Sequence, residues 1–236
     1  MTALKFILQW TLLAMCTASM AQEATIRKNL TERIPLLQKI DEISKSPMPG
    51  LFEIRVNGTD IFYTDAEANF LIQGNLIDTR QRRNLTEERI EKLTAVKFDT
   101  LPIKDAITVV RGDGKRKLAV FEDPNCGYCK RFERDLDKVT NVTIHTFLYP
   151  ILSPDSNEKS KNIWCAKDKA KAWQDWMLSD QTPAPASCDA SAVARNIELG
   201  KKYKITGTPT LIFADGSRVP GAINAQQIEK YLAEAK

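Results

Sequence analysis

Residues 118–139 read LAVFEDPNCGYCKRFERDLDKV. Leu118-Ala119-Val120-Phe121 is a short unbroken apolar run, the pattern of a strand buried on both faces. Beyond it Phe132, Leu136 and Val139 recur at i, i+4 and i+7, one face of an amphipathic helix. Between the two lies Cys126-Gly127-Tyr128-Cys129. A cysteine that opens a helix faces unpaired backbone N–H groups and the positive end of the macrodipole, so Cys126 is expected to ionise readily. The thiolate is the species that attacks a disulfide sulfur. Cys129, one turn further in, is expected to be less exposed and placed to attack a mixed disulfide formed at Cys126. Lys130 and Arg131 add positive charge that is expected to support the thiolate.

The same spacing is also half of a zinc site. That site needs two further ligands, and Cys165, Cys188 and His145 offer no second C-x-x-C or C-x-x-H, so no metal is expected. A purely structural bridge over so short a loop would constrain the unfolded chain little. A second marked stretch is Thr206-Gly207-Thr208-Pro209-Thr210, directly before an apolar strand. A proline there offers no N–H to the sheet, and in a tight turn it can take the cis form.

Working outward, Val142 to Tyr149 reads as the next strand, and 155 to about 200 as mostly helical with Ile163, Trp164, Trp173, Trp176 and Met177 as core. Thr210-Leu211-Ile212-Phe213, the Asp215-Gly216 turn and Ser217-Arg218-Val219 form a hairpin. Asn224 caps a closing helix, with Gln227 completing a capping box. Upstream, 22–46 carries helical spacing at Ile26, Leu30, Ile34 and Leu37, kinked by Pro35 and stopped by Pro47-Met48-Pro49-Gly50. Phe52, Ile54 and Val56 alternate with polar residues, Asn57-Gly58 is a hairpin signal, and Ile61–Thr64 and Phe70–Gly74 extend the sheet. Asn84–Val96 is a charged helix capped by Asn84, equally suited to linking two domains or to joining the core of either. The resulting organisation is a leader over 1–21, a small α+β domain over 22–83, a linker helix over 84–99 and an α/β domain over 100–236. The small domain can bury little core alone, and its exposed sheet edge invites a partner.

Residues 1–21 carry one charge, Lys5, an apolar run from Phe6 to Met15, and small residues at Ser19 and Ala21. This is the layout of a cleaved secretory signal, and the run is shorter than the roughly 20 residues that span a bilayer. A lipoprotein signal ending at Cys16 is the alternative; Met15 is bulky for it. Cleavage before Gln22 leaves Cys126, Cys129, Cys165 and Cys188, which by spacing fall into two pairs. A Cys165–Cys188 bridge is read as structural, with a redox relay to Cys129 as the rival. The chain has 236 residues and a net charge of +4 without a basic block, which does not argue for nucleic acid. Its one histidine, His145, excludes a zinc centre built on several imidazoles, although a Ser-His-Asp triad could use it.

Cys126-Gly127-Tyr128-Cys129, Ile163-Trp164-Cys165-Ala166-Lys167-Asp168-Lys169, Ala184-Pro185-Ala186-Ser187-Cys188-Asp189 and Thr206-Gly207-Thr208-Pro209 together resemble the DsbC/DsbG family of disulfide isomerases, over essentially the whole chain after the leader. The resemblance implies a thioredoxin-like catalytic domain and an N-terminal dimerisation domain. It also implies a periplasmic homodimer with a shared apolar cleft, acting without a cofactor on misoxidised exported proteins and kept reduced by a membrane reductase of the DsbD type. It further implies a cis peptide at Pro209, with Thr208 lining the site and pairing with substrate through its backbone. Gly127 favours the DsbC branch, since DsbG has proline there. Thioredoxin has a buried Asp six residues before its first active-site cysteine, where this chain has Val120. The proton acceptor for Cys129 is therefore open between Glu122 and water. The rivals are a dithiol oxidase, a reductase of oxidised single cysteines, and a holdase chaperone. Reduction potential separates the first two from an isomerase, and aggregation suppression without Cys126 would identify the third.

Overall fold

The computed structural model describes residues 20–37 and 39–235, and the chain divides into two compact units that meet between Leu93 and Thr94. Of the expected leader, 1–19 lie outside the described residues.

The first unit opens with helix α1 (20–33), whose Ile26 and Leu30 are fully buried. After a 3-10 turn at Pro35–Leu37 the chain forms a four-stranded antiparallel sheet in the order β1 (Ile40–Lys45), β2 (Phe52–Val56), β3 (Asp60–Thr64), β4 (Leu71–Ile72). Here the helical reading of 22–46 is corrected: 40–45 are a strand. The β1–β2 register shifts between Ile40 and Glu42, so Ile40 and Ile43 face the core three residues apart, a spacing that imitates a helix. Asn57 and Gly58 turn the β2–β3 hairpin with φ of 53° and 85°, conformations that the Asn-Gly pair tolerates. A two-stranded ribbon, β5 (Ile77–Asp78) and β6 (Arg83–Asn84), leads into α2 (Leu85–Thr94), where the Asn84 side chain accepts from the Glu87 N–H at 3.2 Å. Helix α2 is tied to this unit: Thr86 shares a hydrogen bond with Tyr63, and Arg89 pairs with Glu53 and Glu42. Residues 95–99 do not continue it, for Val96 and Phe98 are buried in the second unit.

The second unit is a five-stranded sheet in the order β11-β10-β8-β9-β7. Its strands are β7 (Ile107–Arg111), β8 (Arg116–Glu122), β9 (Val142–Leu148), β10 (Thr210–Phe213) and β11 (Arg218–Pro220). Strands β8 and β9 run parallel, joined by helix α3 (Gly127–Leu136); all other pairs are antiparallel. Strand β8 is buried on both faces as its apolar run implies. Leu118 and Val120 pack with Phe132 and Leu136 of α3 and Ile228 and Leu232 of α7 (Ala225–Glu234), while Ala119 and Phe121 face Phe147, Tyr149 and Ile212. Each fully buried Leu or Phe contributes roughly 1.5–3 kcal/mol. Helix α7 has the capping box read from Asn224 and Gln227. Between β9 and β10 lie α4 (Pro154–Cys165), α5 (Lys169–Ser179) and α6 (Ser191–Lys202). Asp180, left-handed at φ 55°, ends α5, and the prolines at 183 and 185 keep the following segment irregular. His145 is buried in β9 and hydrogen-bonded to Thr108 on β7.

Candidate active site

Cys126 is the N-cap of α3, and its sulfur accepts the Cys129 N–H at 3.3 Å. It is 5 % exposed and Cys129 0 %, both as free thiols, so Cys129 is the less exposed of the two. The Thr208–Pro209 peptide is cis, and the Cys126 thiol donates to the Thr208 carbonyl at 3.3 Å. The structure thus brings together Cys126, Gly127, Tyr128, Cys129, Thr208 and Pro209 at one end of the sheet.

The Cys126 pKa is lowered to about 6, first by its hydrogen bond with the Cys129 side chain, then by the Thr208 side chain and the backbone N–H groups of Cys129 and Tyr128. Burial opposes this without prevailing. A thiol of that acidity is roughly 90 % thiolate at pH 7. Burial foremost, together with the Cys126 hydrogen bond and the neighbouring Glu122 carboxyl, raises the Cys129 thiol far in the other direction. Lys130 and Arg131 do not take the part expected of them. The Lys130 ammonium pairs with Asp180 and lies 3.8 Å from the Trp176 ring centroid, Arg131 is exposed, and neither is among the groups that lower Cys126. Alkylation of the reduced protein by iodoacetamide should therefore rise with pH to half its maximal rate near pH 6. A midpoint near the ordinary thiol value of about 8.5 would contradict this electrostatic arrangement.

The loop before Cys126 is held by residues that the sequence reading passed over. Fully buried Asp123 accepts the N–H groups of Asn125, Ile151 and Leu152 at 2.8–2.9 Å, and Trp176 Nε1 donates to the Pro124 carbonyl at 2.6 Å. An Asp two residues before an N–H it accepts is an Asx turn, a signal that can be read locally; the reach to 151 and 152 cannot. Around the thiol the surface is apolar and open: Tyr128, Ile151 and Leu152 are exposed, and a Cβ built at Gly127 or Gly207 would meet nothing. Cys165 and Cys188 form a disulfide within the helical insert. Among the described residues no three His, Cys, Asp or Glu side chains are grouped to hold a metal.

The family described as a thioredoxin-like domain matches residues 103–236, and the disulfide bond isomerase protein N-terminal domain matches 17–87. The probable thiol:disulfide interchange protein DsbC of Bordetella avium is 45 % identical over 207 residues, which cover 88 % of this chain and 73 % of that protein. The chain belongs to the DsbC family. A Bordetella parapertussis DsbC relative is 50 % identical over 78 % of this chain, which spans 65 % of that protein's length. The Escherichia coli DsbC is 28 % identical over 97 % of this chain and 95 % of its own. Among solved structures, a disulfide interchange protein from Neisseria gonorrhoeae superposes with a TM-score of 0.55 at 41 % identity, covering 57 % of this chain and 98 % of its own. The thioredoxin-like fold expected for the C-terminal part is thus established for this DsbC-family chain.

Proposed function

We propose that the protein is a thiol-disulfide isomerase that reshuffles wrong disulfides in exported proteins. The observation that carries this reading is Cys126: a cysteine at a helix N-cap with its pKa lowered to about 6, beside the Thr208–Pro209 loop and next to a buried partner thiol. Its sulfur attacks a substrate disulfide, a Cys126–substrate bond forms, and one substrate cysteine leaves as thiolate. That thiolate then attacks a different substrate sulfur, or Cys129 attacks Cys126 and releases the substrate reduced. Stabilising the thiolate favours the dithiol form of the pair, the form an isomerase must keep to start a cycle. The exposed Tyr128, Ile151 and Leu152 suit the apolar segments that misfolded chains expose, and the Thr208 backbone, 3.3 Å from the Cys126 sulfur, is placed to meet an extended peptide bound there.

The rest of the proposal rests on family membership: export by the leader at 1–21, a homodimer joined through the small domain, and re-reduction by a DsbD-type membrane partner. The test compares the chain from Gln22 with a fragment from Thr94 in reactivating a scrambled multi-disulfide substrate. The fragment starts at Thr94, not at 100, because Val96 and Phe98 belong to the second unit's core. The longer chain should reactivate the substrate while the fragment only oxidises or reduces it. Equal, non-shuffling redox activity of both would defeat the isomerase reading.

A further inference from the structure

Resolution by Cys129 requires its proton to leave, and at 0 % exposure the thiol has no contact with bulk solvent. Two carboxylates lie on the protein side of it. Glu122 ends β8 and is fully buried; Glu133 sits one helical turn beyond Cys129 on α3 and is 3 % exposed. Trp173 of α5 donates its Nε1–H to Glu133 Oε1 at 2.7 Å. The Glu122 carboxyl faces both Glu133 and the Cys129 thiol, yet neither of its oxygens closes a hydrogen bond in this arrangement. A buried carboxyl with unmet bonding capacity is costly and calls for a reason.

We propose that Glu122 and Glu133 are a proton relay for the resolving cysteine, with Glu122 taking the Cys129 proton and Glu133, held by Trp173, taking up the charge change. The position does not coincide with the buried Asp of thioredoxin, whose place is Val120, and the relay rests on the Cys126 mechanism proposed above. Burial foremost, then the neighbouring Glu133, raises Glu122 well above the usual carboxylate range, which favours its protonated form. Burial raises Glu133 too, but Glu122, Trp173 and Arg111 of β7 favour its anion against Asp137. Two buried carboxyls that face each other ionise together only at a cost, so the pair favours sharing one proton and titrates as a unit. As Cys129 attacks the Cys126 sulfur, the Cys126–Cys129 bond forms and the Cys126–substrate bond breaks. The substrate leaves as thiolate, the Cys129 proton passes to Glu122, and the Glu122 proton passes to Glu133. Two cysteine thiols are oxidised and the substrate disulfide is reduced.

The test mixes the reduced full chain with an aromatic disulfide that releases thionitrobenzoate. Cys126 attack liberates the first equivalent and Cys129 resolution the second. In Glu122→Gln the first phase should be unchanged and the second slower by roughly 100-fold at pH 7, the lower end of what positioned acid–base groups supply. The gap should close as pH rises and hydroxide takes the proton instead. Glu133→Gln leaves Glu122 alone and buried without the Trp173-bound anion, so the onset of the second phase should move to higher pH. A second phase of wild-type rate and pH profile in both variants overturns the relay, as does a loss of equal size at every pH. Should Glu122→Gln fail to fold, the Glu133→Gln profile decides by itself. Absence of the first phase in the wild type would instead defeat the Cys126 mechanism.

Discussion

Cys126→Ser abolishes disulfide reshuffling, lowering turnover of a scrambled substrate by more than about a thousand-fold, because a serine hydroxyl is un-ionised at pH 7 and cannot form the mixed disulfide. The loss is chemical and not structural. A serine at the N-cap still accepts the residue-129 N–H and donates to Thr208, and serine is among the preferred N-caps. Cys129 cannot take over as nucleophile, being fully buried with its thiol pKa raised by that burial. Thermal denaturation of Cys126→Ser should therefore resemble that of the reduced wild type while turnover disappears. Cys129→Ser should differ in kind: the first attack survives and the protein accumulates as a mixed disulfide, detectable by mass. Turnover retained in Cys126→Ser would overturn the mechanism.

The parts of this site that were legible in the sequence are those encoded within a few residues. The strand, the cysteine pair and the helix are contiguous, so their order already places Cys126 at an N-terminus. The cis-proline loop is distant in sequence and was joined to the cysteines only by the family resemblance. Alternation and Asn57-Gly58 disclosed the β2–β3 hairpin, whereas β1 was hidden by its bulge. Strand β7 carries no sequence alternation to read: on this edge strand apolar Val110 points outward beside Val109, and Arg111 lies on the covered side, so burial alternates while hydrophobicity does not. The positive charge of Lys130 was misassigned because sequence adjacency does not show that Trp176 and Asp180, brought by another helix, capture it. Glu133 was missed for the same reason. In a one-dimensional reading it is one charge among several on α3, and only the approach of Trp173 and Glu122 marks it as special.

Removing the second cysteine pair should cost stability without touching the chemistry. Cys165 closes α4 and Cys188 lies in the irregular stretch beyond α5, so the bridge encloses the whole of α5. That helix supplies Trp173 and Met177 to the cluster containing Cys126 and Cys129. Apart from the bridge, the stretch before Cys188 is tied to α4 by the Ala186 N–H donating to Asn162 at 3.1 Å. Chain-entropy arithmetic for a loop of this length gives about 3.4 kcal/mol, roughly a 300-fold change in the folding equilibrium. For a unit of this size the double variant Cys165→Ser/Cys188→Ser should melt about 10 °C lower. At 25 °C the surviving fold should still alkylate at Cys126 with a midpoint near pH 6, because the groups that lower that thiol belong to α3 and the Thr208 loop. A redox relay through this pair predicts the reverse, normal melting with lost turnover, so one melting curve and one reshuffling assay separate the two.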